Sequence, residues 1–365
     1  MNGTARLSAL GQSLWLDNIT RTMLDDGTLA RYIANYHVTG LTSNPTIFDE
    51  AIGSGTAYDA GIEEKSERGL SGEALFAELA LEDLRRAADL FRPVWDATDG
   101  RDGYVSMEVS PLLASDTQGT IAAALKICQD ADRPNLFVKI PGTPEGVPAI
   151  EAAIFAGVPI NVTLLFSCEQ YLAAAEAYLR GIERRLAGRL DPRIASVASL
   201  FVSRWDKAVA DKVPKALKNK LGIAVGEQTY QAYRTMLESP RWQALAAAGA
   251  TPQRLLWAST GTKDPAAPDT LYVEALAAPE TINTMPEKTL LALEDHGKIA
   301  ATLDTEGGDS AVVLARFAAA GIDIGTLGTQ LQRDGAASFV KSWNELLGKI
   351  AAKGDSLKRA AATAL

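Results

Sequence analysis

The sequence predicts an α/β protein, specifically a TIM (β/α)8 barrel with helical insertions and a C-terminal helical cap. Short apolar, β-branched runs alternate with amphipathic helical stretches, which is the pattern of βα units and a parallel sheet. Eight such runs span residues 13–284, close to the roughly 250 residues of a typical barrel of this type. The predicted strands are Ser13–Asp17, Val38–Ser43, Val105–Ser110, Leu136–Ile140, Pro159–Thr163, Ala195–Val202, Leu255–Ser259 and Thr281–Thr284.

Helical periodicity fills the segments between these strands. Apolar residues recur at three- and four-residue spacing in Glu73–Ala97, Asp116–Asp130, Cys168–Leu186 and Trp205–Val213. Insertions lengthen the second connection (48–72) and the sixth (215–253), and helices are expected near 311–320 and 336–353. No Gly/Ser-rich or Pro-rich linker interrupts the chain. We therefore expect one domain over residues 1–365, with a barrel core over about 13–300 and a C-terminal helical extension over about 301–365.

Composition indicates an ordinary enzyme rather than a nucleic-acid or membrane protein. The chain has 365 residues, 47% of them hydrophobic, and a net charge of -9, which disfavours general binding to nucleic acid or anionic membranes. Cys128 and Cys168 belong to no metal-binding or disulfide pattern. The start has no signal-peptide features, and no apolar stretch approaches membrane length. These features predict a cytoplasmic protein in which positive charge for an anionic substrate must be local.

Lys139 is the most unusual residue of the predicted sheet. It is a lone charge in the apolar run 135–146, and strand alternation places it on the same face as Phe137. An ammonium in an apolar interior tends to lose its proton, and a neutral lysine amine is a nucleophile toward carbonyls. The alternative is a scaffold lysine that reaches water or pairs with a carboxylate.

Other polar residues follow or end the predicted strands. Taken singly, each is explained by a helix cap, a turn, packing or a surface charge. Because active groups of such barrels lie at the carboxyl ends of the strands, their joint occurrence predicts one pocket. These residues are Asp17, Asn44, Glu108, Lys139, Asn161, Thr163, Ser199, Arg204 and Ser259.

Five motifs along these strands identify a family that the chain resembles, the transaldolases. The motifs are Thr42–Phe48 (TSNPTIF), Ser106–Val109 (SMEV), Val138–Gly146 (VKIPGTPEG), Asn161–Ser167 (NVTLLFS) and Ser199–Arg204 (SLFVSR). The resemblance implies a TIM barrel that transfers a dihydroxyacetone unit from sedoheptulose 7-phosphate or fructose 6-phosphate. The acceptor is an aldose phosphate, glyceraldehyde 3-phosphate or erythrose 4-phosphate, in the non-oxidative pentose phosphate pathway. The partners it implies are therefore phosphorylated ketose and aldose sugars.

The resemblance also implies a role for each site residue. Lys139 forms a Schiff base with the donor carbonyl, and Asp17 takes and returns the proton of the C4 hydroxyl. Glu108 and Thr163 hold a water that shuttles protons. Substrate hydroxyls are held by Asn44, Asn161 and Ser199, and Arg204 binds the phosphate. Schiff-base chemistry of this kind requires no metal, and the sequence holds no metal-ligand cluster, so no cofactor is expected.

The chain departs from the family pattern after the seventh strand. The sequence reads Ala258-Ser-Thr-Gly-Thr-Lys263 where a second phosphate-binding arginine is usual. Ser259 and Lys263 are therefore predicted to share the second phosphate contact. The insertions resemble a longer subgroup that also occurs fused to a sugar-phosphate isomerase. Self-association, and whether the chain is free-standing or such a module, remain open.

Two other function classes use the same residues differently. A Schiff-base aldolase, a lyase that releases free dihydroxyacetone, would need the same Lys139 and Asp17. A non-catalytic scaffold on a degenerate barrel is the third alternative. The presence of Lys139, Glu108 and Asp17 together argues against the scaffold.

Overall fold

The computed structural model describes residues 2–364, and its central feature is a sheet of eight parallel strands. All eight strands lie within a few residues of the predicted runs, which confirms the predicted α/β barrel. The strands are β1 (Ser13–Asp17), β2 (Val38–Thr42), β3 (Val105–Glu108), β4 (Leu136–Pro141), β5 (Ile160–Leu165), β6 (Ser196–Phe201), β7 (Gln253–Ala258) and β8 (Ile282–Met285).

The strand order in the sheet is β2-β1-β8-β7-β6-β5-β4-β3, and each adjacent pair in this order is parallel. Two further backbone bonds close the ring. The Leu41 amide donates to Tyr104 O and the Gly103 amide donates to Thr39 O, both at 2.9 Å. Because these bonds join β2 to the residues before β3, the sheet is a barrel, and the carboxyl ends of its strands meet at one mouth.

Helices cover the outside of the barrel, as the sequence predicts. Within residues 2–364 they are α1 (Gly3–Ala9), α2 (Arg21–Asp25), α3 (Thr28–Asn35), α4 (Pro45–Gly53), α5 (Asp59–Glu67), α6 (Gly72–Ala97), α7 (Thr117–Ala131), α8 (Gly146–Ala156), α9 (Cys168–Ala187), α10 (Ser203–Val209), α11 (Leu221–Glu238), α12 (Pro240–Ala247), α13 (Leu271–Ala275), α14 (Glu287–His296), α15 (Ser310–Ala319) and α16 (Ile324–Ala364). Two 3-10 turns, Pro111–Leu113 and Lys215–Leu217, complete the set. The predicted insertions form α4, α5, α11 and α12.

Aromatic side chains fill the barrel beneath the mouth. Trp15 and Phe137 lie with ring centroids 6.1 Å apart, and Tyr104 stacks on Phe137 at 4.1 Å. All three side chains are buried. Since Phe137 precedes Lys139 by two residues on β4, this packed layer lies directly below the lysine and forms a floor for the site above it.

The C-terminal helix α16 is longer than predicted. The sequence predicts a helix over about 336–353, whereas α16 runs over 41 residues and packs on α4, α5 and α6. The predicted helix near 311–320 is α15. Within residues 2–364, no single helix combines the length and apolarity needed to cross a membrane. By those two criteria α15 and α16 qualify only together, as a pair bent by 90°.

Candidate active site

A cavity of about 220 Å³ opens at the mouth of the barrel, at the carboxyl ends of the strands. Eight of the ten residues predicted for the site line it: Asp17, Asn44, Lys139, Thr163, Ser199, Arg204, Ser259 and Lys263. The other two, Glu108 and Asn161, are buried on the strands to either side of Lys139. Strand pairing therefore brings all ten predicted residues to one end of the barrel.

Lys139 is held by β4 between two polar neighbours. Glu108 on β3 and Asn161 on β5 are its register partners. The residue is only 5% exposed. The Nζ atom donates to the carbonyl oxygen of Ser43 at 2.8 Å and lies 3.4 Å from Glu108 Oε2. The long second contact leaves the amine without a tight carboxylate partner, and Lys139 lines the cavity.

Glu108 is buried, and its pKa is raised because burial removes water from the carboxylate. The charge of Lys139 opposes this shift, whereas the charge of Asp17 adds to it. The second oxygen, Oε1, has no hydrogen-bond partner among residues 2–364, and neither has the buried hydroxyl of Thr163. Both atoms are therefore available to bind a water molecule or a substrate hydroxyl.

Asp17 ends β1 and is partly exposed to the cavity. Thr42 Oγ1 donates to Asp17 Oδ1 at 2.7 Å and lies 2.7 Å from Thr284 Oγ1. Because the single Thr42 proton goes to Asp17, Thr284 is the donor to Thr42. Burial raises the pKa of Asp17, while the Thr42 hydrogen bond and the charge of Lys139 lower it, and the net shift is upward.

The amide residues occupy two different environments. Asn161 is fully buried: its Oδ1 accepts from Ser199 Oγ at 2.7 Å, and its Nδ2 donates to Ser106 Oγ at 3.2 Å. Asn44 lines the cavity, and its Oδ1 accepts from the Ile47 amide at 3.1 Å, which caps α4. Asn44 therefore both caps the N-terminus of α4 and lines the cavity. A direct substrate contact of Asn161 stays a prediction.

Arg204, in the first turn of α10, is half-buried and lines the cavity. Its guanidinium lies over two aromatic rings, 5.1 Å from the centroid of Phe201 and 5.9 Å from that of Phe339. Burial lowers the pKa of Arg204, although the carboxylates of Asp17 and Glu108 oppose that shift. In the described part of the chain it makes no ion pair, so its charge is available to an anion.

Ser259 and Lys263 follow β7, the strand next to β6, and therefore lie beside the segment that carries Arg204. Ser259 has φ +55°, in the left-handed region, and its Oγ lies 3.0 Å from Ser203 Oγ. Lys263 lies at the rim, where partial burial and the charges of Arg204 and Lys207 lower its pKa. Arg204 and Lys263 are two positive charges that repel each other beside one cavity. A negatively charged group bound there would relieve this repulsion, so the site suits an anion.

Sequence reasoning did not single out several residues of the site. Thr42 lies within a quoted motif, and Ser106 begins another, but neither was assigned a role. The hydrogen bond from Lys139 to the Ser43 carbonyl could not be predicted from residue types, because every residue has a backbone carbonyl. Thr284 and Phe339 come from β8 and α16, and only the folded chain brings them to the cavity. Among residues 2–364, no group of three or more His, Cys, Asp and Glu side chains is arranged to hold a metal ion.

A closed parallel barrel with a buried lysine and two carboxylates at its mouth defines a TIM-barrel enzyme. The model of the family described as Transaldolase/Fructose-6-phosphate aldolase matches residues 14–350. The chain belongs to this family, as the sequence motifs predict.

Three curated relatives, each named Transaldolase, illustrate the similarity. The chain is 48% identical to the protein of Thermobifida fusca, over 95% of this chain and 96% of the relative. It is 47% identical to that of Acidothermus cellulolyticus, over 98% and 97%. It is 45% identical to that of Thiobacillus denitrificans, over 96% and 100%. The similarity therefore extends over nearly the whole of each chain.

Proposed function

We propose that this chain is a transaldolase, which transfers a dihydroxyacetone unit from a ketose phosphate to an aldose phosphate in the non-oxidative pentose phosphate pathway. One observation carries the proposal: Lys139 is buried beside Glu108 in a cavity that also holds Asp17 and the cation Arg204. The names of the similar curated proteins support the same activity. The donors we propose are sedoheptulose 7-phosphate and fructose 6-phosphate.

In the first step, the neutral amine of Lys139 attacks the donor carbonyl at C2. The resulting carbinolamine loses water and becomes a protonated imine. Glu108 Oε1 and Thr163 Oγ1, both buried and without a partner among residues 2–364, would hold the water that carries the protons. The raised pKa of Glu108 favours this role, because the carboxyl group then exchanges a proton more readily near neutral pH.

In the second step, Asp17 removes the proton from the C4 hydroxyl and the C3–C4 bond breaks. The bond electrons move into the imine, which becomes an enamine, and C4 leaves as the aldehyde carbon. The enamine then attacks the acceptor aldehyde, and Asp17 returns the proton to the new hydroxyl. Water finally adds to the imine, by reversal of the first step, and releases the product and the free amine of Lys139. The raised pKa of Asp17 brings it closer to the pH at which it must both accept and donate.

The remaining polar residues would orient the substrate. Ser199 donates its proton to Asn161, so its oxygen stays available to accept a hydrogen bond from a sugar hydroxyl. Asn44 lines the cavity beside it. Arg204, with Ser259 and Lys263 from the end of the neighbouring strand β7, would bind the phosphate. Since lysine presents a point charge rather than a planar fork, Lys263 supplies attraction with less directional control than an arginine.

Lys263→Ala tests the second phosphate contact. We expect KM for fructose 6-phosphate to rise about tenfold, because the attraction between the Lys263 ammonium and the phosphate is lost. Schiff-base formation with unphosphorylated dihydroxyacetone should change less than twofold. Lys212→Ala, at an exposed lysine that follows α10 in the connection before β7, is the matched control. An unchanged KM in Lys263→Ala would mean that the phosphate is held elsewhere.

The activity is tested by mixing fructose 6-phosphate with erythrose 4-phosphate. Formation of sedoheptulose 7-phosphate indicates transfer, acceptor-independent release of dihydroxyacetone indicates a lyase, and no product indicates a scaffold. Borohydride added with the donor should fix a stable adduct on the peptide containing residues 135–146. Lys139→Ala should abolish the adduct, and an adduct on another lysine would refute the assignment.

Three further properties belong to this proposal. Schiff-base chemistry requires no metal, so activity should survive dialysis against a chelator. The net charge of -9 supports small anionic substrates at a local cationic site rather than nucleic acid or anionic membranes as partners. A cytoplasmic location agrees with sugar phosphates as substrates, and self-association or fusion to an isomerase can be measured by the mass of the native particle.

A further inference from the structure

The C-terminal helix α16 contributes a side chain to the proposed phosphate end of the cavity. Phe339 lies on α16, lines the cavity and is 5% exposed. Its ring centroid is 5.9 Å from the guanidinium carbon of Arg204, and the ring of Phe201 lies 5.1 Å from the same carbon. Arg204 makes no ion pair within residues 2–364, and the two rings face its guanidinium at cation–π distance.

A glycine lets α16 approach Arg204 this closely. Gly335 lies four residues before Phe339, and residues at that spacing share one face of a helix. A Cβ at Gly335 would lie 3.3 Å from Arg204 Nη1 and 3.0 Å from Leu164 Cδ2. Glycine in a helix interior lowers helix stability. Here it leaves room for the guanidinium between the helix and β5.

A buried glutamine fixes the position of this helix face on the barrel. Gln332 lies seven residues before Phe339, on the same face, and is 7% exposed. Its Nε2 donates to the carbonyl oxygens of Gly142 at 2.9 Å and Leu164 at 3.0 Å. Gly142 directly follows β4, which carries Lys139, and Leu164 belongs to β5. The helix is therefore tied to the two strands nearest the proposed reaction centre.

We propose that Phe339 is a positioning residue that holds the Arg204 guanidinium in the cavity, so that α16 completes the site that selects phosphorylated sugars. The inference rests on the proposed function, in which Arg204 binds the substrate phosphate. Phe339 acts through orientation: a flexible arginine side chain loses less freedom on binding when two aromatic faces already restrict it. A ring at position 339 is required, and apolar bulk alone does not suffice.

The test compares Phe339→Leu and Phe339→Ala with Phe339→Tyr, which keeps the ring. We expect KM for fructose 6-phosphate, and the inhibition constant of inorganic phosphate, to rise about fivefold in the Leu and Ala variants. Both should stay within twofold of the parent in the Tyr variant. Borohydride-trapped adduct formation with dihydroxyacetone should stay within twofold in all three, because that donor carries no phosphate.

Trp343→Phe is the matched control on the same helix. Trp343 packs edge-on against Phe76 at 5.0 Å and donates to Glu73 Oε1 at 2.9 Å, away from Arg204. This variant should lower Tm while leaving KM for fructose 6-phosphate unchanged. If it raises KM as much as Phe339→Leu does, the effect comes from general loosening of α16 and the proposal is wrong.

A double-mutant cycle with Arg204→Ala separates positioning from direct contact with the substrate. In the Arg204→Ala background, Phe339→Leu should have less than a twofold further effect on KM, because no guanidinium remains to be held. A full fivefold further effect would refute the proposal. If the parent enzyme transfers no dihydroxyacetone unit, the proposed function fails, and calorimetry with inorganic phosphate still tests whether Phe339→Leu weakens anion binding through Arg204.

Discussion

The two carboxyl groups of the cavity have raised pKa values for the same reason, loss of water, but they differ in their partners. Glu108 Oε2 lies 3.4 Å from Lys139 Nζ, whereas Asp17 accepts a hydrogen bond from Thr42 that partly offsets the effect of burial on its pKa. Because that hydrogen bond stabilises the ionised form, Thr42 sets how far the pKa of Asp17 rises. The residue that tunes the proposed base is therefore on the neighbouring strand.

Thr42→Val removes this donor with little change in volume. The pKa of Asp17 should rise further, so the acid limb of the pH dependence of kcat/KM should move to higher pH. Thr42→Ser keeps the donor and is the control, whose acid limb should stay in place. Coincident profiles for the Val and Ser variants would show that Asp17 is not the group whose ionisation limits the reaction.

The raised pKa of Asp17 also makes the folding stability depend on pH. A carboxyl group whose pKa is higher in the folded than in the unfolded state favours folding when it is protonated. For Asp17 this contribution is present below the unfolded value of 3.8 and is lost as the pH rises through the folded pKa. Ionisation of Asp17, which the proposed reaction requires, therefore lowers the free energy of unfolding.

At the scale of elements, the packing of β2 on β1 depends on Gly40. A Cβ there would lie 2.6 Å from the Trp15 indole and 2.7 Å from Tyr104 O, and neither backbone nor indole can move freely. Gly40 thus lets the large Trp15 side chain fill the barrel below the proposed active site. The sequence shows only a glycine in a strand, which is usually a weak position.

Gly40→Ala should lower the free energy of unfolding by about 2 kcal/mol, through overpacking of a filled interior. Gly55→Ala is the control, since a Cβ at that exposed position has no neighbour within 4 Å. Calorimetry of both variants gives the comparison. Equal Tm values for the two would mean that the barrel interior relaxes around the extra methyl group.

The full length of α16 could not be predicted because, as with Gly40, the role of its glycines depends on tertiary packing. Gly325, Gly328 and Gly335 lower helix propensity, so the sequence predicts a helix only from about residue 336. In the fold, a Cβ at Gly328 would lie 3.1 Å from Trp205 and one at Gly335 would lie 3.3 Å from Arg204. Gly328 and Gly335 thus weaken the isolated helix and at the same time allow it to pack closely on the barrel.

At the scale of the whole molecule, a buried polar network closes the amino-terminal end of the barrel. Asp102, just before β3, accepts from Trp15 Nε1 at 2.8 Å and lies 3.9 Å from Arg254 Nη1. Arg254 on β7 donates through Nη2 to Ser13 Oγ at 2.6 Å and to Thr281 O at 3.0 Å. The network joins β1, β7 and the segments before β3 and β8, at the end opposite the cavity.

Asp102→Asn leaves Arg254 buried beside a neutral group. We expect a loss of about 2–4 kcal/mol in the free energy of unfolding, seen as a lower Tm, with turnover per folded molecule unchanged. Asp191→Asn, which alters an exposed pair with Arg193, should leave Tm unchanged. A Tm for Asp102→Asn equal to that of the control would show that the network does not hold the barrel closed.

Much of the candidate site could be predicted because its signals are local. Alternation along β5 predicts that Asn161 and Thr163 share a face, and alternation along β4 predicts the same for Phe137 and Lys139. The family motifs identify the other polar residues near them. The register of the strands then brings these residues into one site, since parallel strands of similar length have their carboxyl ends at the same edge. The complete burial of Asn161 could not be predicted, because its partners Ser199 and Ser106 come from two other strands, β6 and β3.

The sequence by itself determined the barrel, the lysine at its mouth and the family, because hydrophobic periodicity and short motifs are properties of neighbouring residues. Only the tertiary structure decided which distant groups complete the site. Thr42 meets Thr284 across 242 positions of chain, and Phe339 of α16 meets Arg204. Such contacts follow from barrel closure and from helix packing on the barrel, and no local pattern of residues encodes the distance between two atoms far apart in the chain.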